Sequence, residues 1–288
     1  MMGVLAAQSW LQHADNSEHR RVHEKLHMAM GIGLIAVSAA TLVSLWQASA
    51  TMADVPLLKS GPSLWVMFAD TSYGRFGLAS LLVLILGCVL HFVPRLSGQS
   101  SPHRAAVLGI LVAFAICRVA AGHAAEHGFF AVATMAELIH VLSIALWFGS
   151  VIVAAWIVIP ANAGAVLPGS ITSYLTSLSS WATGALAAVL ATGLYNAVRV
   201  LNHPAELVTT EYGWVLITKL CFVGIAIVLG GWNRFIGFPA VFAAAVEPAT
   251  ERTKLNVITS VLRAESIALL IVLLAAAILT ASAPPASN

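Results

Sequence analysis

Seven blocks of apolar residues, each close to the length needed to cross a bilayer, constrain this chain more than any other feature. They run over residues 26–48, 76–93, 105–121, 137–159, 175–198, 214–232 and 264–281. A helix needs about 20 residues to cross the hydrocarbon core. A lipid-facing backbone must satisfy its own hydrogen bonds, and the blocks lack the alternation of barrel strands, so each is predicted to be helical. Of the 288 residues, 59% are apolar and 9% charged, against roughly a quarter charged in soluble domains. The expected fold is therefore all-α: a polytopic transmembrane helix bundle of about seven spans.

Basic residues set the expected orientation, because Lys and Arg near span ends are held on the cytoplasmic side. The amino terminus and loops 94–104, 160–174 and 233–263 share a side that carries Arg20, Arg21, Lys25, Arg95, Arg104, Arg234, Arg252, Lys254 and Arg263. The opposite side has only Lys59, Arg75, Arg118 and Arg199, and Lys219 falls within a span. The amino terminus is predicted to be cytoplasmic. Residues 1–25 are too polar, and lack the basic-then-apolar order, for a cleaved signal peptide, so the first span is expected to be retained. Four segments follow: a His-rich cytosolic stretch over 1–25, three spans over 26–121, a second transmembrane region over 122–281, and a Pro-rich, unstructured tail over 282–288.

Two phrases repeat, "TSYGRFGL" at 71–78 and "TEYGWVLITK" at 210–219. In each, Thr is placed to cap the first amides of a helix and Gly suits a tight start. They read either as independent interfacial anchors or as traces of a duplication. In the fifth span Gly184, Ala188 and Thr192 fall four apart, a pattern that lets a neighbouring helix come close. The cysteines, Cys88, Cys117 and Cys221, lie inside apolar spans and form no close pair, so a disulfide framework is not expected.

Polar groups at membrane depth cost several kcal/mol unless partnered, about enough to demand a reason for each. The densest set runs from Cys117 and Arg118 through "GHAAEHG" at 122–128, with His123 and His127, to Met135, Glu137 and His140. Glu137 and His140, three apart, share a helical face, as do His123 and His127 if their connection is helical. Imidazole with thioether suits copper, the cuprous ion more than the cupric. The competing reading makes His140 an interhelical hydrogen-bond partner and His123 and His127 wet loop residues. Lys219 must pair, face a polar cavity or snorkel to the interface. At the other side, Arg234 and Glu265 flank a basic loop, where an Arg-to-Glu pair would join two helix ends.

The stretch "EHRRVHEKLHMAM" at 18–30 puts His19, His23 and His27 along one side of a helix. Interleaved Arg20, Arg21 and Lys25 oppose cation binding and suit anionic lipid head groups. The segment reads chiefly as a topological collar, with a metal-accepting face as the other reading. No phosphate loop, nucleophile elbow or zinc-protease helix is present, so neither hydrolytic catalysis nor ATP-driven pumping is expected, and the chain is not read as an enzyme.

From residue 122 onward the order of motifs resembles the CopD-like (CopD/PcoD) copper-resistance membrane proteins. The motifs are "GHA" at 122–124, "LIHVLSIALWFGS" at 138–150, "ATGLYNAVRV" at 191–200, "TEYGWVLITK" at 210–219, "NR" at 233–234 and "LRAESIALLIVLLAAAILT" at 262–280. The resemblance implies a bacterial inner-membrane, multi-pass protein of copper homeostasis that receives periplasmic copper, often from a small CopC-type carrier, and passes it toward the cytoplasm. It implies membrane lipid as a partner, no nucleic acid, and leaves room for a homo-oligomer; relatives commonly have eight spans. Carried over, it points to His123 and His140 as ligands, and to Trp147, Gly149, Gly193, Asn196, Tyr212, Gly213, Lys219, Asn233, Arg234 and Glu265 as framework or pathway positions.

In the resulting picture a cuprous ion binds His123, His140 and a sulfur such as Met135, then moves inward through weak successive sites. Lys219 and Glu137 tune local charge, Cys88 and His91 offer a pause near the inner end, and His19, His23 and His27 receive the ion. The alternative is a haem-binding redox protein with histidine axial ligands. His91 and His140 lie near opposite faces, so a haem would need His123 or His127 on one side, or His27 with His91 on the other.

Overall fold

The computed structural model describes residues 1–11, 17–93, 101–122, 128, 130–161, 169–200, 206–244 and 248–281. Regular structure among them is entirely helical, and seven helical stretches are long and apolar enough to cross a membrane: Arg20–Ala53, Ser72–Phe92, Ser101–Ala120, Val132–Ala161, Ile171–Arg199, Glu211–Ala243 and Thr253–Leu279. The all-α polytopic architecture expected from the apolar blocks is present. The helices overrun those blocks, because ends carrying His, Arg or Ser still satisfy their backbone best by staying helical. Residues 233–263, expected to form a loop, are helical over Asn233–Ala244 and again from Pro248.

In chain order the elements are α1 (Met2–Trp10), α2 (Ser17–Ala53), a 3₁₀ turn (Leu57–Lys59), α3 (Gly61–Asp70), α4 (Ser72–Phe92), α5 (Ser101–Ala120) and α6 (Val132–Val153). A π-helical turn (Ala154–Val158) then leads into α7 (Ile159–Ala161), followed by α8 (Gly169–Val200), α9 (Glu206–Thr209) and α10 (Glu211–Trp232). A second π turn (Asn233–Gly237) joins α10 to α11 (Phe238–Ala244), and α12 (Pro248–Ala281) closes the order. The chain divides into two compact units, one of Met1–Leu5 with His27–Leu142, the other of Ala6–Leu26 with Ser143–Asn288.

The first unit is organised on a stripe of small residues. Helix α4 buries Gly74, Gly77, Ser80, Leu84, Gly87 and His91, a spacing of three and four that keeps them on one face. A Cβ on Gly77 would run into Leu45 of α2, and one on Gly87 would press on Leu34 of α2 and Ile110 of α5 at 3.2 Å. The opposite face carries exposed Leu82, Ile85 and Leu86, as expected of a surface that meets lipid chains. Both T-x-Y-G phrases cap as expected: the Gly74 amide donates to Thr71 Oγ1 at 2.9 Å, and the Gly213 amide to Thr210 Oγ1 at 3.0 Å. Gly74 has a further reason to lack a side chain, since a Cβ there would collide with the Met67 carbonyl at the end of α3.

In the second unit α12 packs along α10, the two π turns, α7 and α11. Tyr174 of α8 is fully buried, with the Trp10 ring 6.0 Å from its own. The small-residue pattern of α8 does not form a seam at Gly184, where an added Cβ would meet nothing within 4 Å. Thr192 turns its hydroxyl onto the Ala188 carbonyl at 2.6 Å.

Candidate functional site

Glu265 of α12 is the only buried acidic side chain among the described residues, 2% exposed and roughly halfway along the span Thr253–Leu279. Its Oε1 accepts a hydrogen bond of 3.2 Å from the indole Nε1 of Trp147 on α6, also buried. The Asn233 amide, 1% exposed at the start of the second π turn, stands beside the carboxyl, yet neither its nitrogen nor its oxygen has a partner of full hydrogen-bond geometry. Gly230 makes room for the carboxyl against α10: a Cβ there would lie 3.1 Å from Glu265 Oε1. The result is a walled carboxyl pocket built by α6, α10, the π turn and α12.

The second π turn borders this pocket, and the first packs against α12 beside it. A π turn fits an extra residue into the helix, widens it locally and leaves carbonyls and side chains off the α register, which is why such turns gather at functional sites. From the first turn, the Trp156 indole donates to Ser266 Oγ at 3.1 Å, and that hydroxyl donates to the Arg263 carbonyl at 2.8 Å. The Arg263 guanidinium lies over the Trp156 ring, 4.7 Å from its centroid, a cation–π contact. From the second turn, Arg234 Nη1 donates to Ser179 O, Ser179 Oγ and Thr183 Oγ1 of α8 at 3.0, 2.8 and 2.9 Å.

Two expectations change here. The Arg234 to Glu265 pair is not formed, because the two residues are not at the ends of a loop: helix continues through Arg234, which turns to α8, while Glu265 turns to Trp147. Arg263, counted with the loop residues, sits inside α12. Arg252 and Lys254 lie in the same helix, nearer its start.

The residues proposed for the metal-rich mouth are only partly described. His123 and His127 lie outside the described residues, as does the side chain of His19. Met135, Glu137 and His140 follow one another on α6, all half-buried. His23 is half-buried and His27 exposed on α2. Among the described residues no three His, Cys, Asp or Glu side chains converge as a metal site.

Within the first unit His27 and His91 do come together. Their rings stack 4.1 Å apart at 26°, the edge of the Phe92 ring meets His91, and His91 is 4% exposed with Nε2 unpartnered against Gly31. Rings stacked at that distance leave no gap for a porphyrin between them, so this pair does not bracket a haem. Cys88, one turn before His91, is half-buried. Asn196, Tyr212 and Lys219 are half-buried on α8 and α10. None of the three contacts the carboxyl of Glu265, whose neighbours are Trp147, Asn233 and Gly230.

Residues 173–279 match the family described as Copper resistance protein D. Over these residues the chain is similar to that family. The match bears out the resemblance over α8 to α12, within a chain that has seven helices long and apolar enough to cross a membrane. No curated protein and no solved structure matches the chain. The CopD match includes Asn233, Arg234, Gly230, Arg263, Glu265 and Ser266, and stops short of Trp147, Trp156 and every histidine proposed as a ligand. Sequence reasoning passed over four of the pocket's residues. Gly230 stands in a "GG" before "WNR" that does not say what it faces, and Arg263 and Ser266 were signalled only by their place in "LRAES". Trp156 carried no signal, because an aromatic residue in an apolar span is unremarkable until its indole finds a partner.

Proposed function

We propose that the chain is a bacterial inner-membrane copper transport protein, amino terminus inside, that takes copper from a periplasmic CopC-type carrier and passes it toward the cytoplasm. The observation that carries this reading is the copper-resistance domain match over the helices that hold a buried polar centre at mid-span. A bundle that only anchored or docked a carrier would have no use for a carboxyl, an amide and an indole buried at that depth.

His123, His140 and Met135 supply the soft ligands at the receiving side, and Glu137, three residues before His140, lowers the local potential for an arriving cation. A cuprous ion suits this set better than a cupric one. Weak, successive contacts keep the ion moving where a closed four-ligand site would trap it. His91 with His27, and beyond them His19 and His23, form the leaving side.

Cellular copper accumulation tests the reading with wild type, His123→Ala, His140→Ala and the triple His19/His23/His27→Ala variant. The two single substitutions are expected to reduce accumulation, by about tenfold if each removes a ligand worth roughly 1.4 kcal/mol of affinity. Unchanged uptake in both removes the receiving site. A change confined to the triple variant moves the chemistry to the other side of the membrane.

A further inference from the structure

A buried carboxyl at mid-span needs either a cation or a proton to be tolerable. The groups that face Glu265 supply no cation. From α6 comes the Trp147 indole, from the second π turn the Asn233 amide, and from α10 the bare backbone of Gly230. On its own helix, Arg263 is occupied over the Trp156 ring; on the π turn, Arg234 is occupied by Ser179 and Thr183. The only other cation on α10 is Lys219, fourteen residues before Asn233 and so about 21 Å away along the helix.

The hydrogen-bond inventory gives the same answer. An ionised carboxylate offers about four acceptor positions and no donor, and here it receives a single N–H at 3.2 Å. The adjacent Asn233 has both its amide nitrogen and its oxygen left over; a carboxylate can serve only the nitrogen, a carboxylic acid both. One proton on Glu265 removes the buried charge and supplies an O–H for that orphan oxygen. Carboxyl and amide oxygens are hard donors, suited to a proton and poorly suited to a cuprous ion.

We propose that Glu265 is a proton-binding site, held by Trp147 and Asn233, that releases its proton as a copper ion passes, so that copper is exchanged against a proton. The first half stands on the pocket alone; the exchange rests on the copper-transport reading. In the exchange the carboxylic O–H bond breaks, its electron pair stays on the carboxylate, and the proton leaves through water on the side from which it is released. The carboxylate's negative charge then offsets the single positive charge of the passing ion. Nothing is oxidised or reduced, and no net charge is left at the centre of the bundle.

Infrared difference spectroscopy on the purified full-length protein in lipid reads the first half. Wild type is expected to show a protonated-carboxyl C=O band at neutral pH that is absent in Glu265→Gln. Trp147→Phe, which removes one N–H and keeps an aromatic ring, is expected to shift the band, so the assignment survives if Glu265→Gln fails to fold. Absence of any such band throughout the pH range in which wild type stays folded overturns the proton site.

Proteoliposomes loaded with a pH-sensitive dye and given cuprous ion under a reductant read the second half. Wild-type uptake is expected to carry protons the opposite way, with both coupling and dependence on the pH gradient lost in Glu265→Gln. Wild-type uptake that ignores the gradient overturns the exchange. No uptake at all, with the infrared band present, overturns the copper reading and the exchange with it, and leaves the proton site standing.

Discussion

At the scale of single residues the pocket depends on what is missing as much as on what is present. Gly230 lets a carboxyl lie against a helix backbone, and its absent Cβ would sit 3.1 Å from an oxygen that has no other place to go. Gly230→Val is expected to push the carboxyl away from Trp147 and to destabilise the protein by about 1–3 kcal/mol, as overpacking does. A lowered Tm in detergent, with Gly231→Val as the control, would show it, since a Cβ at Gly231 meets nothing within 4 Å. The Thr caps belong to the same scale. Thr71→Ala and Thr210→Ala each leave one helix amide without its partner and are expected to lose about 1 kcal/mol, measurable as parallel shifts in Tm. These caps were legible in the sequence because the contact is local, three residues from hydroxyl to amide. Gly230 was not, because its reason lies on α12, thirty-five positions further along.

Among elements, the π turns decide where side chains point. Without the turn at Asn233–Gly237, α10 would continue in plain α register, and one residue type cannot announce such a turn in advance. Its consequence is that adjacent residues serve different partners: Asn233 turns to the Glu265 pocket, whereas Arg234 reaches α8. All three Arg234 contacts come from a single nitrogen. Arg234→Ala is expected to loosen α8 by about 1–3 kcal/mol, the range for hydrogen bonds from a charged donor. Arg234→Lys, whose ammonium has three donors for the same three oxygens, is expected to recover part of it. Limited proteolysis within residues 162–168 provides the readout, faster for Ala than for Lys. Equal rates in the wild type and both variants would deny the link any part in holding α8.

For the whole molecule, the basic residues predict that residues 94–100 and 201–205 face opposite compartments. With the native cysteines replaced, a membrane-impermeant thiol reagent added to intact cells is expected to label Asn202→Cys and spare Ser97→Cys; the reverse pattern would invert the orientation. The number of spans and their helical nature followed from the sequence alone, because a bilayer offers an unsatisfied backbone no alternative and a run of about 20 apolar residues is sufficient to report it. The histidine and methionine chemistry was legible as composition, by residue type and spacing. The carboxyl pocket was decided only by the fold. Trp147 and Glu265 are 118 residues apart, and no local pattern records that the expected Arg234–Glu265 pair would give way to a pocket of Trp147, Asn233 and Glu265. Side-chain type and periodicity are written along one dimension; which groups share a buried volume is set by long-range packing of helices against one another.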